Sequence, residues 1–247
     1  MTQHADEFRG SMRTGRWTTT PDGSPCAGSL GVVVDDVLGS CVLMSRPAGS
    51  WSVSTEITVE LVADVPGDGA VLTVAGRVVG RDSSGGLARG EVRDGEGRSV
   101  AVATQRQRFV PGDPSAVAAA VPVPAAADDP DRDALAAIGG RLHRHGEDGE
   151  LVLPGSTDLA NPAGNLHGGI SLLASELVAG AVLGDPSFVT SSVHIVYLRP
   201  LSVSAETTFG SELVHRGRTL GMVRVVGRNA AGRVCTMATV TRHAPRG

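Results

Sequence analysis

The sequence predicts an α+β fold built as two tandem repeats, each a long apolar helix followed by about four antiparallel strands. Three observations predict it. The stretch 161–183, NPAGNLHGGISLLASELVAGAVL, opens in loop chemistry and continues as an apolar run whose single charge is Glu176. Apolar residues at 170, 173, 177 and 181 keep helical spacing. Second, TPDGSPCAG at 20–28 repeats NPAGNLHGG at 161–169 at an offset of 141, with Pro, Gly and the last Gly coinciding. That offset sets Asp35 opposite Glu176 and Gly39 opposite Gly180, so 30–43 is a matching helix. Third, STEITVEL (54–61) lies over TSSVHIVY (190–197) at an offset of 136, and 92–98 lies over 227–233 at 135. A two-fold internal duplication accounts for all three.

In chain order, residues 1–19 are polar, with a short helix expected near 7–13. After the first long helix, 54–62 alternates with Ile57, Val59 and Leu61 on one face, as a half-buried strand does. A turn at 67–69 leads to a strand over 70–80, and the chain breaks at 82–86. A hairpin pairs 87–93 with 99–109 around the turn DGEG. Residues 111–131 are rich in Ala and Pro, a composition that buries no core and reads as a linker. The halves are therefore 1–110 and 132–247. In the second, a short helix is expected within 131–145 and a short strand at 150–153, ahead of the central helix. Strands then follow at 191–198, 205–214, 220–228 and 234–242.

Bulk properties exclude several classes. A formal charge of −4 gives no general pull toward nucleic acid or an anionic membrane. Cys26, Cys41 and Cys235 have neither CxxC nor metal-ligand spacing, which points to a reducing compartment and no disulfide framework. The N-terminus lacks a signal-peptide apolar core, and the longest uncharged runs contain Pro or are short and broken by Gly. The expected location is the cytoplasm, with no membrane span.

The chemistry gathers at 161–183. Glycines just before a helix leave N–H groups free at its positive end, where a carbonyl oxygen gaining negative charge is stabilised. A carboxylate in the middle of an apolar helix is costly unless it is hydrogen-bonded or working.

Asn161, Gly164, His167-Gly168-Gly169 and the acid at 176, followed by VHIVYLRP and LVHRGRTLGMVRVVGRNAAGRV, resemble the PaaI-like, 4-hydroxybenzoyl-CoA thioesterase branch of the hotdog-fold superfamily. The resemblance covers most of the second half and, more weakly, 20–109. It implies hydrolysis of an acyl-CoA thioester without metal or redox cofactor. It also implies a pair of hotdogs sharing sites, which this chain would supply internally as a tandem double hotdog, a pseudo-dimer open to further self-association.

His167 and Glu176 are nine residues apart, roughly 13 Å along a helix, so they cannot serve one thioester. Two antiparallel helices would instead set the loop of one half beside the acid of the other, as in the family. The first pocket then combines Asn161, His167 and Gly168 with Asp35 and Ser54. The second combines Thr20, Cys26 and Ala27 with Glu176 and Thr190, and it has lost the Asn and His. The expected roles are Gly168 N–H and His167 on the carbonyl, Asp35 as base or nucleophile, Ser54 orienting, and Asn161 holding loop or thioester.

Plainer readings stand beside these. His167 could simply cap its helix. Asp36 competes with Asp35, and the repeat register favours Asp35. Cys26 near a helix N-terminus could be a nucleophile, though replacement of His in a decayed site explains it better. Arg199, Arg216 and Arg218, with His215, are candidates for coenzyme A phosphates or solvated turn residues. Trp17 and Trp51 read as packing. The rival functions are a non-catalytic acyl-CoA or lipid-binding module and a dehydratase, whose differently spaced Asp/His pair is not found.

Overall fold

In a computed structural model the described residues are 2–4, 7–67, 69–112 and 131–244. Its elements are β1 (Thr2–His4), β2 (Glu7–Arg13), α1 (Leu30–Met44), β3 (Ser50–Leu61), β4 (Val71–Arg81), β5 (Gly85–Arg93) and β6 (Ser99–Pro111). There follow α2 (Ala134–Ala137), β7 (Arg141–His145), β8 (Asp148–Leu153), α3 (Gly168–Leu183), β9 (Val189–Tyr197), β10 (Thr207–Arg216), β11 (Leu220–Asn229) and β12 (Val234–His243).

The strands form one antiparallel sheet in the order β1-β2-β4-β5-β6-β3-β9-β12-β11-β10-β8-β7. Read from its two ends, the sheet follows the same path twice. The strands β1, β2, β4, β5, β6 and β3 correspond in turn to β7, β8, β10, β11, β12 and β9. The runs meet where β3 pairs with β9, Ile57 opposite Ile195 and Val59 opposite Val193.

Both long helices pack on the sheet and on each other, and the apolar periodicity dictates how. Leu30, Val34, Val37, Leu38 and Val42 are buried on α1 against Ile57, Val59, Leu72 and Val74 of the strands. On α3, Leu172, Val178 and Val182 are buried with Val193, Phe209 and Val223. Burying each such side chain contributes about 1.5–3 kcal/mol. The span Ala27–Met44 is long and apolar enough to cross a membrane by length and composition, but most of it is buried within the molecule.

Close approach of the helices depends on glycine. A Cβ on Gly169 would stand 2.4 Å from the Gly31 carbonyl, and one on Gly31 would stand 3.1 Å from the Gly169 oxygen. Each central helix is entered from a similar turn. Gly23 (φ 87°) and Gly164 (φ 75°) take left-handed backbone, with the Gly23 N–H bonding Thr20 O and the Gly164 N–H bonding Asn161 O, both at 2.9 Å.

Three expectations change. Residues 7–13 form the strand β2 rather than a helix, paired with β4 through Phe8 opposite Gly76. Phe8 and Met12 pack on the core, while Gly10 sits beneath Val37, which would lie 2.6 Å from a Cβ there. The helix expected within 131–145 is confined to Ala134–Ala137, and Arg141–His145 is a strand. Among the described residues, each half therefore contributes six strands, two ahead of its long helix. The expected linker lies outside the described residues except for its ends, Pro111 belonging to β6.

Candidate active site

The first residue set converges where α1 of one half meets the start of α3 in the other. Asp35 Oδ2 accepts from the Gly169 N–H at 3.3 Å and would stand 2.6 Å from a Cβ on Gly168. Its other oxygen, Oδ1, accepts from Ser54 Oγ at 3.2 Å and from Gln105 Nε2 at 2.6 Å. Gln105 also donates to Ser54 Oγ at 2.8 Å, so amide, hydroxyl and carboxylate hold one another in place. Among the described residues, the Gly168 N–H finds no acceptor, which is the state of the first N–H groups of a helix.

His167 is the N-cap of α3: its Nδ1 accepts from the Gly169 N–H at 3.1 Å. The same Nδ1 lies 3.3 Å from Asp35 Oδ2, and Nε2 lies 3.1 Å from Asp36 Oδ1. Both ring nitrogens are thus occupied by protein groups. Burial works against protonation of the ring, but the charge of Asp35 and the hydrogen bond and charge of Asp36 outweigh it, leaving the pKa raised.

Asn161 closes its own turn: Oδ1 accepts from the N–H groups of Ala163 (3.0 Å) and Asn165 (3.1 Å). Tyr197 donates its hydroxyl to the Gly168 carbonyl at 2.7 Å. Burial, and then the nearby charge of Asp35, push this phenol well above its ordinary pKa, so it stays a donor.

A cavity of about 470 Å³ opens on Asp35, Asp36, Ser54, Asn161, His167 and Gly168. Trp51 is on its wall too, with the Arg46 guanidinium 5.9 Å from its ring centroid, so this tryptophan is more than core packing. Arg199 also lines the cavity and is exposed, its Nη1 donating to Val234 O at 2.8 Å. The other candidate arginines are not on that wall. Arg216 bonds the Leu183 carbonyl at the C-terminal end of α3, where a cation complements the helix dipole, and Arg218 is exposed. A larger groove of about 750 Å³ crosses β2, β4 and β5 and holds none of the expected site residues.

The second set also assembles, but as a closed arrangement. Glu176 Oε1 accepts from the Ala27 N–H at 3.2 Å and from Thr190 Oγ1. Its Oε2 accepts from Cys26 Sγ at 3.1 Å and from the Gly28 N–H. A carboxylate offers about four acceptor sites, and here four donors fill them. Burial first, then the Glu176 charge, raise the Cys26 thiol well above its ordinary pKa, so it is no thiolate nucleophile. Thr20 meanwhile bonds Asp22 within its own turn.

Gln105, Tyr197 and the contact of Asp36 with His167 escape the sequence reading. Two signals were available: glutamines at 105 and 107 on the face of a strand that carries Ala101 and Ala103, and the chain's single tyrosine. Among the described residues, no group of three or more His, Cys, Asp and Glu side chains is placed to hold a metal ion.

The sequence pattern of the Thioesterase superfamily matches residues 163–236, the stretch that carries the HGG turn and α3. No curated protein matches the chain. Among solved structures, the tesB protein of Mycobacterium avium subspecies paratuberculosis superposes with a TM-score of 0.69 at 9% identity, covering 97% of this chain and 93% of that one. The fold is hotdog-like. An acyl-ACP thioesterase from Bacteroides thetaiotaomicron gives 0.61 at 13% identity over 98% of this chain and 100% of the other. A 12:0-ACP thioesterase from Umbellularia californica gives 0.62 at 13% identity over 98% and 96%. At such identities the likeness is one of fold, a large antiparallel sheet with few helices, and it spans nearly the whole of each chain.

Proposed function

We propose that the protein is a double hotdog that hydrolyses an acyl-CoA thioester in the cavity between its two halves. One observation carries the reading: the Asp35 carboxylate from α1 faces the N-terminal turn of α3, with the 470 Å³ cavity opening on both. The match to the Thioesterase superfamily over 163–236 supports thioester chemistry there.

The thioester carbonyl rests on the free Gly168 N–H, at the positive end of α3, where an oxyanion is stabilised. Asp35 takes a proton from a water as its oxygen bonds to the carbonyl carbon. Collapse of the tetrahedral intermediate breaks the carbon–sulfur bond, and the sulfur leaves as the thiol with that proton. Ser54 and Gln105 hold the base, while Tyr197 and the Asn161 turn hold the glycine loop. Arg199 at the cavity wall suits a phosphate of coenzyme A. The sealed Glu176 site is a structural remnant.

The test is a panel of acyl-CoAs with a thiol reagent that reports free coenzyme A. Turnover above background that disappears in Asp35→Asn supports the reading. Tight binding of acyl-CoA without turnover would replace it with a non-catalytic binding role.

A further inference from the structure

We propose that His167 is a proton-operated gate on Asp35, and that Asp36 is the positioning residue that sets it. The proposal rests on the hydrolytic reading above, in which Asp35 receives the proton of the attacking water.

The ring sits between two carboxylates, so its neutral and protonated states make different contacts. In the neutral state Nε2–H donates to Asp36 Oδ1 across 3.1 Å, and Nδ1 accepts the Gly169 N–H at 3.1 Å. In the protonated state Nδ1 carries a hydrogen and the ring a positive charge 3.3 Å from Asp35 Oδ2, and the Gly169 N–H is left to that same oxygen at 3.3 Å. Counting acceptor sites shows the consequence. Ser54 and Gln105 fill both sites of Oδ1 in either state. Oδ2 keeps a free site beside a neutral His167, whereas beside a protonated one it faces a cation at 3.3 Å. A carboxylate whose charge is held by an adjacent cation is a weaker acceptor for a water proton.

Asp36 is placed to decide between the states. Its side chain is 42% exposed at the cavity, whereas those of Asp35 and His167 are 12% and 10% exposed. Its charge favours the imidazolium, as does that of Asp35. Of the other elements around the ring, β9 brings Tyr197, whose proton is committed to the Gly168 carbonyl. The segment after β9 brings Arg199, bound to the Val234 carbonyl, and the first turn of α3 brings no acid.

The second site carries an independent sign. At the offset of 141, Leu177 stands for Asp36 and Cys26 for His167, so both gate residues are missing together. There the acid is held with all four of its acceptor sites filled.

The experiment compares kcat/KM against pH for the wild-type chain, Asp36→Asn and Asp36→Glu on an acyl-CoA that the wild type hydrolyses. Asp36→Asn keeps an oxygen for Nε2–H but removes the charge, so the acid limb of the profile moves to lower pH by about one unit. Asp36→Glu restores the charge and returns the limb toward the wild-type position. A profile lowered evenly with its limb in place overturns the gate. Independently of turnover, the ¹⁵N resonances of the His167 ring, identified by their loss in His167→Gln, are titrated in both proteins. A midpoint unmoved by Asp36→Asn overturns the proposal, and a lowered midpoint sustains it. Absence of any acyl-CoA turnover in the wild type defeats the hydrolytic reading instead, and the titration still decides whether Asp36 sets His167.

Discussion

Gly31 on α1 and Gly169 on α3 touch backbone to backbone, a Cβ on Gly169 falling 2.4 Å from the Gly31 carbonyl. This contact brings the Asp35 carboxylate within reach of the Gly169 N–H. Gly169→Ala should therefore wedge the helices apart, destabilising the fold by about 1–3 kcal/mol as overpacking does. Activity should fall further than stability, because it depends on the spacing. Urea unfolding and thioester turnover on the same preparation check this, and an alanine variant of native stability would refute the close contact.

The two acids should separate cleanly. Asp35→Asn removes the proposed base and should lower kcat by roughly 10²–10⁴-fold. Glu176→Gln should leave most turnover intact. It should instead destabilise the protein, since its NH₂ would face the Ala27 or Gly28 N–H and strand a buried donor, at about 1–3 kcal/mol. The reverse pattern, turnover lost in Glu176→Gln and kept in Asp35→Asn, would move the working site to the other pocket.

The helices and the meeting of Asp35 with the HGG turn were legible because a charged residue in an apolar helix and a repeated loop are local signals. The strand β2 was not. It has three inward positions, Phe8, Gly10 and Met12, and the middle one is a glycine whose role appears only when Val37 packs over it. Gln105 stayed hidden for a different reason. Both faces of β6 carry apolar residues, with Val100, Ala101 and Ala103 buried, so alternation alone does not say which face turns to α1. Asp36 looked like a rival to Asp35 because neighbours on a helix point about 100° apart. One imidazole, with a nitrogen at each end, reaches both.

Gln105 illustrates the difference between holding a base and holding a fold. It is fully buried, donates to Asp35 and Ser54, and among the described residues its own Oε1 has no partner. Replacing it with Met removes the donor and the orphaned carbonyl together, so the expected change in stability is small, within about 1.5 kcal/mol. Turnover should drop by about tenfold, as Asp35 and Ser54 lose the amide that aligns them. A Met variant with full kcat would show that Ser54 alone positions the carboxylate.

His167 also ties the fold to pH. Its folded-state pKa is raised, so protonation is more favourable in the native state than in the unfolded chain, whose value is about 6.5. The stabilisation from the charged ring is fully present below that unfolded value and is lost as pH rises through the folded one. Replacing His167 with Gln deletes this contribution along with the cap, and only the cap loss is independent of pH. The difference in urea midpoint between wild type and variant, followed from about pH 5 to about pH 9, should be largest at the acid end and shrink to a plateau at the alkaline end. A difference that instead grows with pH would mean that the buried ring is held neutral and that the two carboxylates do not outweigh its burial.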